Sequence, residues 1–313
     1  MMVGRSMTEV VGRTPVVLLS QIVPDGAADV FVKLEWFNPT GSYKDRMALA
    51  MITEAERRGD LRPGMTVLEY TAGSTGSSLA YVCAAKGYRF RVVTSDAFAP
   101  EKLATMAALG ADLTIVPSVG GKITPDLTPR MIETAREIAE DPNVYWTDQL
   151  RNADSLVGYY EVGVELLEQM QQPVDLFCCA VGTSGMATGV RNALDDADSA
   201  ARMVIFEPDS SPVITTGRPG VNSVEGIGIG MLPPLLDLDR FDEVRAISED
   251  DAFATARRLA AEEGLLAGGS TGLNVAGAIE LARELGAGKT VVTLACDTGL
   301  KYLSGDLYRR GSV

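Results

Sequence analysis

Apolar, β-rich runs alternate along this chain with stretches whose apolar positions recur at helical spacing. Residues 30–34, 67–70, 90–94, 113–116, 174–181, 203–206 and 291–295 read as strands. Amphipathic segments separate most of them; in 47–57, Met47, Ala48, Met51, Ile52 and Ala55 share one helical face. Strand, crossover helix and strand repeated in this way predict parallel sheets with helices on both faces. The unbroken run 174–181 suits a strand covered on both sides. The longest irregular stretch, 208–234, is rich in Gly, Ser and Pro and reads either as a functional loop or as a surface excursion.

Composition narrows the classes of function. A chain of 313 residues that is 46% hydrophobic can bury a large core and exceeds the usual single domain, so two packed domains are expected. A net charge of -14 argues against a nucleic-acid or anionic-membrane surface and favours a small-molecule substrate. No apolar run approaches a membrane span or a signal-peptide core, so a cytoplasmic location and no membrane partner are expected. Cys83, Cys178, Cys179 and Cys296 lie in apolar segments without ligand spacing, and there is no histidine, so no metal site is expected. The absence of histidine also removes every Ser-His-Asp and Cys-His mechanism. Lysine becomes the natural candidate for a base.

Three turns sit where a parallel α/β sheet binds ligands, at strand ends that lead into helices. Thr71-Ala72-Gly73-Ser74-Thr75-Gly76 follows the strand ending at Tyr70, and its small residues allow an anion to approach the backbone. Gly182-Thr183-Ser184-Gly185-Met186-Ala187-Thr188-Gly189 follows the strongest buried-strand pattern and is the better phosphate cradle. Either turn could equally need its glycines for conformation alone. In the third, Asn38-Pro39-Thr40-Gly41-Ser42-Tyr43-Lys44-Asp45-Arg46, a lysine opens a helix. A cation is disfavoured there, and the same field favours the neutral amine that a covalent-catalytic lysine requires. The alternative is a solvated surface lysine. Gly286-Ala287-Gly288-Lys289-Thr290 looks like the end of a P-loop, but the order is helix then strand, and it reads as a connecting turn. The 226–230 glycine repeat follows a loop rather than a strand and is no dinucleotide fingerprint.

Together these turns resemble those of the fold type II enzymes that depend on pyridoxal phosphate (PLP), most closely the cysteine synthase and cystathionine β-synthase family. The similarity runs nearly end to end: Val11-Gly12-Arg13-Thr14-Pro15, the lysine segment, the 71–76 turn, Gln149, the 182–189 turn, Glu225-Gly226-Ile227-Gly228 and Asp297-Thr298-Gly299 occur in family order. The resemblance implies two three-layer αβα domains of tryptophan synthase β-like fold, with the active site between them. It assigns 48–151 to a smaller domain carrying the substrate-carboxylate loop, and 1–47 with 152–313 to a larger PLP-binding domain. Lys44 would bind the cofactor covalently and then act as the base. Gly182, Thr183, Ser184, Gly185 and the Met186 backbone would hold the phosphate, Thr298 would face the ring nitrogen, and Ser74 would lie near the cofactor's 3-oxygen. Thr71, Ala72, Gly73, Thr75 and Gln149 would contact the substrate carboxylate, and Gly226 would belong to a mobile active-site segment. Ala72, Ser74, Ser184 and Met186 depart from the family's usual serine, asparagine, glycine and threonine.

The activity so implied is β-replacement on an activated serine, O-acetylserine or O-phosphoserine, with sulfide or a similar nucleophile, through an α-aminoacrylate, to give cysteine or a related β-substituted alanine. The alternatives are β-elimination, as in a serine/threonine dehydratase or cysteine desulfhydrase; then a threonine synthase-like reaction; then a PLP-binding protein without turnover. The family also implies a homodimer and, in some members, binding of the serine acetyltransferase C-terminal tail.

Overall fold

The computed structural model describes residues 4–71, 73–121, 124 and 126–309. From the N-terminus come β1 (Val16–Leu18), β2 (Asp29–Leu34), α1 (Lys44–Arg58), β3 (Thr66–Tyr70), α2 (Ser74–Lys86), β4 (Arg89–Ser95), α3 (Pro100–Ala108) and β5 (Asp112–Val116). Then follow α4 (Leu127–Ile138), β6 (Val144–Trp146), α5 (Asp154–Gln169), β7 (Leu176–Ala180), α6 (Gly185–Asp196), β8 (Arg202–Pro208) and α7 (Val213–Thr216). The last elements are β9 (Glu243–Ile247), α8 (Glu249–Arg258), α9 (Gly269–Leu285) and β10 (Thr290–Ala295). The α/β class and every strand read from the hydrophobic pattern are present. The strands that the pattern did not reveal are β1, β6 and β9, and each lies at the edge of its sheet. An edge strand has a neighbour on one side only; β1 (Val-Val-Leu) and β6 (Val-Tyr-Trp) are apolar but only three residues long, and β9 carries Glu243 and Arg245 and is half-exposed over most of its length, so none gives a long apolar run.

The chain divides into two compact units. One comprises the residues up to Val11 together with Lys44–Gly158; the other comprises Gly12–Tyr43 and the chain from Tyr159 onward. The first is built on a wholly parallel four-stranded sheet in the order β5-β4-β3-β6. Its core joins Leu68, Tyr70, Val93 and Val116 from the strands to Leu127, Met131 and Ala135 on α4. Helix α1 lies beside α2, and α5 crosses the start of α1 so closely that a Cβ at Gly158 would collide with the Arg46 carbonyl.

The second unit holds a six-stranded sheet in the order β1-β2-β10-β7-β8-β9, parallel except for the β1–β2 pair. Every residue of the inner strand β10 is buried, as a strand covered by helices on both faces requires. Asn274 on α9 accepts from the Ala180 N–H (2.7 Å) and donates to the Leu294 carbonyl (2.9 Å), so one buried amide ties the ends of β7 and β10. Stretch 208–234 is not wholly irregular. It contains α7, whose Ile214 and Thr215 N–H groups bond the buried Glu207 carboxylate at 2.7 and 2.8 Å. The 286–290 segment is the expected turn, running from the end of α9 into β10.

The close crossing of α5 and α1 leads to an expectation about stability. Gly158→Ala gains helix propensity but forces a methyl against backbone, and the clash should prevail, lowering unfolding stability by about 1–3 kcal/mol in urea titration. An unchanged midpoint would show that the two helices separate freely.

Candidate active site

The turn that precedes Lys44 is held by buried polar groups. Asn38 Oδ1 accepts from the Gly12 N–H (2.8 Å), its Nδ2 donates to the Glu35 carbonyl and carboxylate, and Glu35 Oε1 accepts from the Thr14 hydroxyl (2.7 Å). The Val11–Pro15 opening segment therefore supplies partners for the start of this turn. The other end is sewn to the strand that leaves the sheet after β10. Tyr43 N–H bonds Cys296 O (2.9 Å), Thr298 N–H bonds Gly41 O (3.0 Å), and Ser42 and Asp297 form an isolated antiparallel bridge. Gly41 has φ +70°, and a Cβ there would press on Thr298 Cγ2 at 2.8 Å, so glycine is required on both counts.

Lys44 is the first residue of α1 and only 7% exposed. Lys33 is also buried, but it is engaged by Thr14 O, Glu165 and Gln169 at 2.8, 2.6 and 2.9 Å, a structural assignment for that amine. Thr298 caps a short 3-10 turn, its Oγ1 accepting from the Leu300 N–H at 3.3 Å while its own proton can still be donated.

In the same unit as Thr298, the 182–189 turn leads from β7 into α6. Ser184 stands at the N-cap with φ 69°, a left-handed conformation that glycine adopts more readily. Its hydroxyl is buried and has no hydrogen-bond partner among the described residues. The first N–H groups of α6, at Gly185, Met186 and Ala187, lie in the turn of a helix where intrahelical acceptors are lacking. Gly182 admits no Cβ, which would strike the Gly226 carbonyl, and Gly228 N–H bonds Val181 O (3.2 Å). Two glycine segments far apart in sequence, 182–186 and 225–228, are thus side by side.

In the first unit, the 71–76 turn connects β3 to α2. Thr71 Oγ1 accepts from the Gly73 N–H (3.2 Å), and Thr75 Oγ1 donates to Gln149 Oε1 (2.8 Å), so Gln149 joins this turn. Ser74 is the first residue of α2, and Ala72 lies outside the described residues.

One residue of this neighbourhood was not among the sequence candidates. Glu69, fully buried in β3, accepts from Thr147 Oγ1 (2.7 Å), Gln149 N–H (3.0 Å) and Tyr70 N–H (2.9 Å). The signal was present, since a lone acid inside an apolar strand requires partners. Burial pushes this carboxyl up from its ordinary 4.5 to about 7, against the three donors and helped by the Asp148 charge. The native state therefore holds the extra proton between those values. Stability from this group is fully present below about 4.5 and is lost as pH rises through about 7, by roughly 3 kcal/mol. Urea unfolding between pH 5 and 7.5 should show this fall, and Glu69→Gln should flatten it; an equal slope in the variant would place the titration elsewhere.

The sequence profile of the family described as "Pyridoxal-phosphate dependent enzyme" matches residues 7–297. The chain is 41% identical to the cysteine synthase of Staphylococcus aureus over 305 residues, 97% of this chain and 96% of the relative. Its structure is similar to that of an O-ureido-L-serine synthase, with TM-score 0.90 and 34% identity, covering 99% of this chain and 98% of the other. It is also similar to the cysteine synthase of Entamoeba histolytica, with TM-score 0.93 and 29% identity, covering 100% and 93%. The residues present fit the cofactor named by the family. A buried lysine opens a helix, and a glycine cradle at a helix N-terminus carries a buried hydroxyl without a partner among the described residues, features suited to an aldehyde and a phosphate. The chain belongs to the pyridoxal-phosphate dependent enzymes, as a fold type II member of the cysteine synthase group.

Proposed function

We propose that this PLP enzyme performs its β-replacement on an activated serine, O-acetylserine or O-phosphoserine, with a sulfide-type nucleophile, giving cysteine or a related β-substituted alanine. The observation that carries this reading is the Thr75–Gln149 hydrogen bond, which gathers two polar side chains at the 71–76 turn, a setting suited to an amino-acid carboxylate. In this reading the Thr71-Ala72-Gly73 segment and Thr75 would serve the same carboxylate, and Ser74 would serve the cofactor with its hydroxyl.

When bound, PLP supplies the electron sink that makes the substrate's α-proton labile and allows the β-leaving group to depart. Lys44 would hold the cofactor covalently through Nζ, and the same amine would serve as the base for the substrate's α-proton. Gly182, Thr183, Ser184, Gly185 and the Met186 backbone would hold the phosphate with N–H and O–H donors at the positive end of α6. Thr298 would give the ring nitrogen a neutral hydroxyl instead of a carboxylate that keeps it protonated, which would leave the ring less electron-withdrawing and would suit early loss of acetate or phosphate over accumulation of negative charge at the α-carbon. Gly226, on the segment beside Gly182, lets that segment move over the substrate.

For function, 48–151 is treated as the carboxylate-binding domain and 1–47 with 152–313 as the cofactor domain. The working assembly in this reading is a homodimer in the cytoplasm, with the serine acetyltransferase tail as a further ligand. No helix among the described residues is long and apolar enough to cross a membrane.

Lys44→Ala is expected to lose the visible absorption of covalently held cofactor and about 10³-fold or more in turnover, while dialysis still finds PLP retained through its phosphate. Wild-type turnover in that variant would refute the assignment. With O-acetylserine, cysteine should form only when sulfide is added; pyruvate and ammonia released equally fast with and without sulfide would make elimination the true reaction.

A further inference from the structure

The carboxylate-binding role of Gln149 raises the question of what aims its side chain. Gln149 lies on a turn after β6, half-buried, and the residue before it, Asp148, has φ 41°, a conformation that non-glycine residues rarely adopt. Such a backbone persists only where its surroundings hold it. The turn is gripped from two sides. Asn152 Nδ2 donates to Thr147 O (2.9 Å), and the Arg151 and Asn152 N–H groups bond Asp148 O at 3.0 and 2.9 Å. On the other side a single oxygen, Glu69 Oε2, accepts from both residues that flank Asp148: the Thr147 hydroxyl at 2.7 Å and the Gln149 N–H at 3.0 Å. The second oxygen, Oε1, accepts from the Tyr70 N–H at 2.9 Å, at the last residue before the 71–76 turn.

From this bracket we infer that Glu69 is a positioning residue for the substrate carboxylate: it holds the 147–149 turn against the end of β3 so that the Gln149 side chain meets Thr75. The inference rests on the proposal that Gln149 and the 71–76 turn bind that carboxylate. Glu69 does not touch substrate in this role. Its carboxylate is one rigid group bonded to two chain segments, and the segments it joins are those that carry Gln149 and Thr75. At pH 8 the carboxyl is ionised and has enough acceptor sites for all three donors, whereas a glutamine has one oxygen and must turn an NH2 toward at least one of them. A like-sized amide therefore breaks part of the bracket without removing volume.

The test is a double-mutant cycle at pH 8 in the PLP-loaded enzyme, with O-acetylserine as the varied substrate at saturating sulfide. Gln149→Ala is expected to raise KM for O-acetylserine about tenfold, and Glu69→Gln to raise it by a similar factor, with kcat within about twofold of wild type. The double variant should be no worse than Gln149→Ala alone, because Glu69 acts through Gln149. Glu69→Gln should keep its thermal midpoint at pH 8 within a few degrees of wild type, about 1 kcal/mol or less. Glu69→Asp, a carboxylate on a shorter arm, should recover part of the lost affinity. If Glu69→Gln leaves KM unchanged, or if the two effects multiply in the double variant, Glu69 is a structural acid only and the inference falls while the carboxylate site stands. If Gln149→Ala leaves KM unchanged, both fall. Should Glu69→Gln not accumulate as folded protein, Thr147→Val removes one arm of the bracket and enters the same cycle with the same expected outcomes.

Discussion

The turn that leads into Lys44 depends on two backbone hydrogen bonds between residues 41–43 and residues 296–298. Tyr43 to Cys296 and Thr298 to Gly41 make a two-bond ladder, the Ser42–Asp297 bridge, where β10 leaves the sheet. Because β10 is buried along its whole length, its exit is among the best-fixed points of its unit, and the ladder transmits that fixity to the turn that delivers Lys44. Gly41 is a condition of the ladder, since both its positive φ and its distance from Thr298 exclude a side chain. The Asn38–Glu35–Thr14 network braces the same turn from its other end. A lysine in the role proposed for Lys44 would gain from a main chain that does not move with it.

The 71–76 turn follows a different design. It and Gln149 lie beyond the ends of neighbouring strands, β3 and β6; the pairing of those strands and the Thr147 N–H to Leu68 O bond (3.0 Å) bring the strand ends together, and a buried acid adds a side-chain tie across them. Placing Glu69 in an apolar strand is unfavourable for its charge, as its raised titration shows, yet it gives one group that two chain segments must both satisfy. Buried Lys33, with its three acceptors, does comparable work in the other unit by tying β2 to α5. The engagement of Lys33 shows why a buried lysine by itself does not mark an active site.

Much of this was legible in the chain. Parallel crossover units show themselves because inner strands are apolar along their whole length, and cofactor turns because a strand end followed by glycines and a helix is a local pattern. Lys44 and the 71–76 and 182–189 turns lie in such local patterns, whereas Thr298 came only from the family resemblance. The edge strands β1, β6 and β9 were not legible, β1 and β6 because a run of three apolar residues is too short to signal a strand, and β9 because charged residues interrupt it. Glu69 went unread for a related reason: its partners Thr147 and Gln149 come from another crossover, and nothing near it in sequence announces them.

The sequence by itself thus determined the α/β class, the inner strands and the local chemistry of each turn, because these depend on interactions between residues close along the chain. Tertiary structure alone decided which distant segments meet: 41–43 with 296–298, 182–186 with 225–228, and Glu69 with the turn carrying Gln149. Those meetings rest on backbone carbonyls and amides, identical at every residue, and on a carboxylate whose donors are supplied by the fold. Only the path of the folded chain selects among such groups.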